Sequence, residues 1–290
     1  MTYTAWIILT ASLVGLSCGI IGVFLILRKM AMMADAISHT VLLGIVIAFL
    51  ITRQVSGPSM LIGAAVAGLL TAFLVQWLNS LKIEQHAAIG IVFTTLFAIG
   101  VILISTSIGN AHLDVQHALM GEITFIPWNT IDIPLIGTVP QATALLSLVL
   151  IIVVIMVLAF YKEWKITSFD PALAASLGIP VILMHYLFMT LVSITTVASF
   201  DSVGAIMVVA MLITPAASAY LWTDKLAIMI VLSGSFGVIS AILGYFIATG
   251  IDTSISGSMA FATGLIFLVS FVLSPKHGIM SRFAKPVSDS

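Results

Sequence analysis

The sequence predicts an all-α polytopic membrane protein of about nine transmembrane helices, or eight if one apolar run is re-entrant or two form a broken helix. Three observations carry this. Of 290 residues, 61% are hydrophobic and only 7% are charged, and the mean hydropathy of +1.26 exceeds what a soluble core requires. Apolar runs of spanning length recur along most of the chain. The single cysteine, Cys18, leaves no internal disulfide and no thiolate metal cage to staple another kind of fold. The net charge of -1 says nothing about nucleic acid, but the lack of a basic run removes it from the expected partners.

The first run, 6–27, is too long for the core of a signal peptide and has no preceding cluster of Lys or Arg, so it is expected to remain as a span. The second, 36–51, reaches spanning length only if its helix starts near Met32, which draws Asp35 and His39 into the bilayer. Runs at 58–78, 87–108, 139–161, 181–199, 203–222, 226–249 and 259–273 complete the set. Residues 1–274 thus read as one transmembrane domain and 275–290 as a polar tail. With the N-terminus outside, Arg28, Lys29, Lys82, Lys162, Lys165, Lys225, Lys276, Arg282 and Lys285 all fall on the cytoplasmic side, and only Arg53 outside. The excess of Lys and Arg in cytoplasmic loops selects this orientation. Small residues at Gly15 and Gly19, at Gly63 and Ala67, and one residue closer at Gly234 and Gly237 predict tight helix packing.

The stretch from Arg28 to His39 places a carboxylate and an imidazole in otherwise apolar sequence. Residues four apart share a helix face, about 6 Å apart along the axis, so Asp35 and His39 point the same way with Ser38 beside them. Ionisable groups at membrane depth face a partner or a water-filled path. One hard oxygen and one borderline nitrogen suit a divalent transition metal. The plainer reading is that the two only bond each other or a neighbouring helix.

The longest external connection, about 105–136, holds His112, Asp114, His117 and Glu122 ahead of Pro127 and Trp128. Asp114 and His117, three apart, suit a metal contact at the mouth of a path. A solvated loop with an interfacial Trp explains them as well. His86 reads as interfacial, His185 as a packing histidine and His277 as part of the tail. The internal connection 162–180 carries clear punctuation. Asp170 can cap a helix that Pro171 begins, Ala172 to Leu177 favour helix, and Gly178 supplies a left-handed stop before Pro180. A helix of about two turns, within about 168–179, is expected outside the bilayer. Being too short to stand alone, it packs on its own bundle or docks a cytoplasmic partner through Leu173 and Leu177.

In the stretch 200–219, Pro215 removes a backbone donor and frees a carbonyl that Thr214 or Ser218 can help satisfy. Asp201 is either an acid at the outer mouth or a helix cap next to Ser202. No Lys is directly preceded by Gly, which rules out a G-x-x-x-x-G-K-[ST] phosphate loop, and H-E-x-x-H and G-x-S-x-G are also absent. The chain is therefore not expected to be an enzyme. Uphill transport must draw on a separate ATPase or on ion coupling. In the second case the chain is a secondary transporter of a divalent metal, for which inverted repeats with broken helices would be a sign.

Leu27-Arg28-Lys29-Met30-Ala31-Met32-Met33-Ala34-Asp35-Ala36-Ile37-Ser38-His39 resembles the signature of the ABC permeases that import manganese, zinc or iron: an Arg, a short apolar segment, then Asp-Ala-x-Ser-His. Residues 203–219 resemble a second block of that family, and 169–180 its coupling-helix segment. The resemblance covers nearly the whole chain. It implies a permease with the fold of the cobalamin importer, working in a bacterial cell membrane. The partners it implies are a second permease chain, identical or paralogous, two cytoplasmic ATP-binding-cassette ATPase subunits and an extracellular metal-binding lipoprotein. It implies no permanently bound cofactor, only a transported divalent metal, with manganese favoured over zinc or iron. Asp35 and His39 map onto the family's pair in the translocation path, and Asp170, Pro171, Leu173, Leu177 and Gly178 onto the ATPase-coupling segment. Leu43 departs from the pattern, standing where many relatives carry Pro before Gly44.

Overall fold

Backbone in hydrocarbon has no water to bond, so each apolar stretch closes its hydrogen bonds internally as helix. The computed structural model describes residues 2–52, 58–107, 123–133, 137–275 and 278. The first four helices are α1 (Tyr3–Leu27), α2 (Ala31–Thr52), α3 (Pro58–Ser80) and α4 (Gln85–Ser107). After a 3-10 turn (Ile123–Trp128) and the antiparallel strands β1 (Thr130–Ile133) and β2 (Gly137–Pro140) come α5 (Gln141–Ala159), α6 (Tyr161–Phe169) and α7 (Pro171–Ser176). The chain then runs through α8 (Val181–Val203), α9 (Ala205–Trp222), α10 (Leu226–Ile251) and α11 (Ile255–Leu273). Among the described residues nine helices, all but α6 and α7, are long and apolar enough to cross a membrane. As the length argument requires, α2 begins early enough to contain Asp35 and His39.

The small residues sit where helices meet. A Cβ on Gly15 would lie 2.7 Å from the backbone of Gly237, which brings α1 and α10 together without side chains between them. Gly44 of α2 and Gly63 of α3 meet in the same way. At Gly19, the Ser233 hydroxyl donates to the carbonyl at 2.7 Å and satisfies a buried polar group across the same seam.

Each end of the bundle is tied. At one, Tyr3 donates its hydroxyl to the Thr124 carbonyl, and the hydroxyls of Tyr245 and Thr4 lie 3.1 Å apart. Part of the connection at 105–136 is therefore structured: Ile123 and Ile126 are buried against the bundle, whereas Trp128 stays exposed. At the other end Arg28, just past α1, donates to Ser168 Oγ at 3.0 Å and Thr167 Oγ1 at 3.1 Å.

Three expectations need correction. The internal connection is two helices: α6 forms because Trp164 is fully buried among Phe24, Phe160 and Phe188, at ring distances of 5.6–5.9 Å. The helix of about two turns expected within it is α7, six residues long. Ser218 Oγ donates at 2.8 Å to the Thr214 carbonyl, not to that of Met211, which Pro215 frees. Asp201 lies in the last turn of α8, and Gly204, with φ of +81°, makes the break before α9. No cap by Asp201 is needed there.

Candidate metal site

Asp35 and His39 stand one turn apart on α2, His39 Nε2 lying 3.5 Å from Asp35 Oδ1. That separation is beyond a good N–H···O hydrogen bond, so neither group is spent on the other. Their side chains are 45% and 36% exposed, although Met33, Ala34, Ala36, Ile37 and Ser38 around them are buried. Together with exposed Met32 they form a strip of α2 that is open in a single chain. The His39 ring rests against Phe93 and Phe97 of α4, at 5.7 and 5.6 Å. Those two rings limit its rotation and set the direction of its nitrogens.

Ser38 is not a third ligand here. It is buried, and its hydroxyl donates to the Ala34 carbonyl at 2.8 Å. On the residue after His39, Thr40 Oγ1 accepts from the Thr71 hydroxyl at 2.7 Å, which ties α3 to α2. Among the described residues no group of three or more His, Cys, Asp or Glu is placed to hold a metal. A single chain thus offers one carboxylate and one imidazole at an open surface, half of a four-ligand set. His112, Asp114, His117 and Glu122 lie outside the described residues.

The punctuation of 170–178 is as expected. Asp170 Oδ1 accepts from the Leu173 amide at 2.9 Å, Pro171 opens α7, and Gly178 adopts φ of +80°. Ala174 is buried while Leu173 and Leu177 are 50% and 61% exposed. One face of α7 is anchored on the bundle and the other is left bare. Phe93 and Phe97 were not identifiable as supports of His39 from sequence, because an aromatic residue in an apolar span carries no contrast.

Residues 1–274 match the ABC 3 transport family. The chain belongs to that family. It is a membrane permease of an ABC transporter by this membership. The permease is 56% identical over 282 residues to the manganese transport system membrane protein MntD of Bacillus subtilis (strain 168), covering 97% of this chain and 96% of that protein. It is 40% identical over 280 residues to the zinc transport system membrane protein TroD of Treponema pallidum (strain Nichols), covering 96% and 76% respectively. Among solved structures, PsaBC from Streptococcus pneumoniae in complex with Fab matches it with a TM-score of 0.81 at 34% identity, over 98% of this chain and 96% of that one.

Proposed function

We propose that the permease carries manganese into a bacterial cytoplasm through a path whose ligands are Asp35 and His39. The observation that carries this reading is the pair itself: two metal-type side chains on a helix of spanning length, too far apart for a good hydrogen bond and half-open in a stretch whose neighbours are buried. Likeness to a manganese transport protein over nearly the full length supports the choice of metal. Affinity order alone favours zinc over manganese at such a site. Selectivity then rests on coordination number, which two ligands leave unfinished. A second permease chain, identical or carrying the same motif, brings its own pair across a two-fold axis. The result is two carboxylates and two imidazoles, with water completing the shell.

Energy comes from two cytoplasmic ATPase subunits, and a metal-binding lipoprotein delivers the ion from outside. Membership of an ABC transporter family supports this over ion coupling. The exposed Leu173 on α7 and Leu177 just past its end are the docking face for the ATPase. Proteoliposomes holding permease, ATPase and binding protein test the reading. ATP-dependent manganese uptake is expected. Zinc uptake without manganese uptake overturns the metal, and uptake without ATPase overturns the energy source.

A further inference from the structure

At the corner between α1 and α2, on the same end of the bundle as α7, lies a cavity of about 330 Å³. Besides the hydroxyl residues Thr167 and Ser168, its polar lining is Arg28, Lys29, Gln76, Asn79, Gln85 and His185, with no carboxylate among the lining residues. Arg28 is held in place from two sides. Its Nε and Nη2 donate to Ser168 and Thr167, and its guanidinium carbon sits 4.6 Å from the centre of the Phe188 ring. Burial pulls its pKa down to about 10, so at neutral pH it remains a cation. No carboxylate lines the cavity to neutralise it, and among the described residues Arg28 makes no ion pair.

Partly buried cations without a counter-charge are costly. The donor count points the same way. A guanidinium has five N–H donors, and only two are used by the hydrogen bonds given above. Gln85 Nε2 is buried with no acceptor. The cavity thus carries positive charge and unused donors, and its acceptors are side-chain amides and hydroxyls with no carboxylate among them. It repels a metal cation and suits an anion with several oxygens, which a planar fork, a point charge and amides can grip from different directions.

We propose that this cavity binds a phosphate group, presented as the headgroup of an anionic phospholipid. The setting favours the lipid source. Basic pockets between helices at a membrane boundary take such headgroups. Val181 forms part of the wall, and the next residues on α8, Ile182 and Leu183, are 71% and 60% exposed, giving acyl chains an apolar surface beside the cavity. The bound phosphate neutralises Arg28 and fastens the α1–α2 corner to the start of α4.

The test uses the full-length permease in a non-ionic detergent, given phosphatidylglycerol, phosphatidylcholine of the same acyl chains, or inorganic phosphate, with retained lipid read by native mass spectrometry and protection by thermal melting. Phosphatidylglycerol should be retained about tenfold better than phosphatidylcholine, a difference on the scale of one charge-assisted hydrogen bond. Gln85→Leu and Lys29→Gln should erase that preference without moving the lipid-free melting temperature, since neither side chain makes a hydrogen bond that the fold needs. Arg28 is left intact because it ties α6 to the bundle. Protection by inorganic phosphate equal to that by phosphatidylglycerol supports the phosphate site but overturns the lipid as its source. Equal retention of the two lipids by the wild type, or a preference undiminished in both variants, overturns the site itself.

Discussion

His39 Nε2 lies 3.5 Å from Asp35 Oδ1 while its ring is held between Phe93 and Phe97. The imidazole is oriented by α4, not by its carboxylate neighbour, and both groups keep lone pairs for a third party. Asp35→Ala and His39→Ala are expected to abolish manganese uptake. Because both side chains are partly exposed, each variant should stay within about 0.5 kcal/mol of wild-type stability. Phe97→Ala should keep the ligands but loosen the ring, lowering uptake by about tenfold, the order of a mispositioned ligand shell. Wild-type transport by either alanine ligand variant at normal expression would make the pair structural.

The exposed face of α7 gives a second expectation. Leu173→Glu or Leu177→Glu places a charge where an apolar contact with the ATPase is proposed, with Ala174 still anchoring the helix. Pull-down of the ATPase should fail or fall sharply while the permease inserts normally and still binds metal. Full recovery of ATPase and of uptake in both variants would move the coupling surface to another internal connection, 80–85 or 223–225.

Close helix contact can be tested by volume alone. A Cβ on Gly22 would lie 1.8 Å from the Leu212 carbonyl oxygen of α9, backbone that cannot swing aside. Gly22→Ala should destabilise the bundle by about 1–3 kcal/mol, as overpacking does. Gly264→Ala, which adds a methyl with nothing within 4 Å, serves as control. Denaturation in detergent should separate the two, and equal midpoints would contradict the packing.

One pH effect lies outside the spans. The backbone amides of His86 and Ala87 hold the Glu84 carboxyl below its ordinary range, and Ala87 N–H donates to Glu84 Oε2 at 3.0 Å. A depressed carboxyl pKa stabilises the fold above its unfolded value, and that support is lost as pH falls through the folded value. The first turn of α4 should fray under acid, seen as faster hydrogen exchange at Ala87, and Glu84→Gln should show much of this loss already at neutral pH.

Hydrocarbon content made the nine spans legible in the sequence, since little else satisfies so long an apolar backbone. Local chemistry did the same for the turn at 170–178, where Asp170, Pro171 and Gly178 each act within a few residues. The candidate pair stood out because Asp35 and His39 contrast with their neighbours. What stayed hidden depends on distant partners. The helix α6 exists because Trp164 finds Phe24 and Phe188, whereas its own sequence reads as a charged connection. Likewise, nothing in the sequence joins His185 to Arg28, 157 positions earlier in the numbering, yet both line the same cavity.

The helix α2 contacts α3, α4, α8 and α9 and is buried along most of its length. Rolling it by one residue, about 100°, would drive its interlocked side chains through four neighbours at once. Such a post does not swivel alone; it travels with the block that grips it. For the path proposed at Asp35 and His39, intermediate positions of α2 would cost packing across the whole block, which favours a few discrete arrangements over a graded opening.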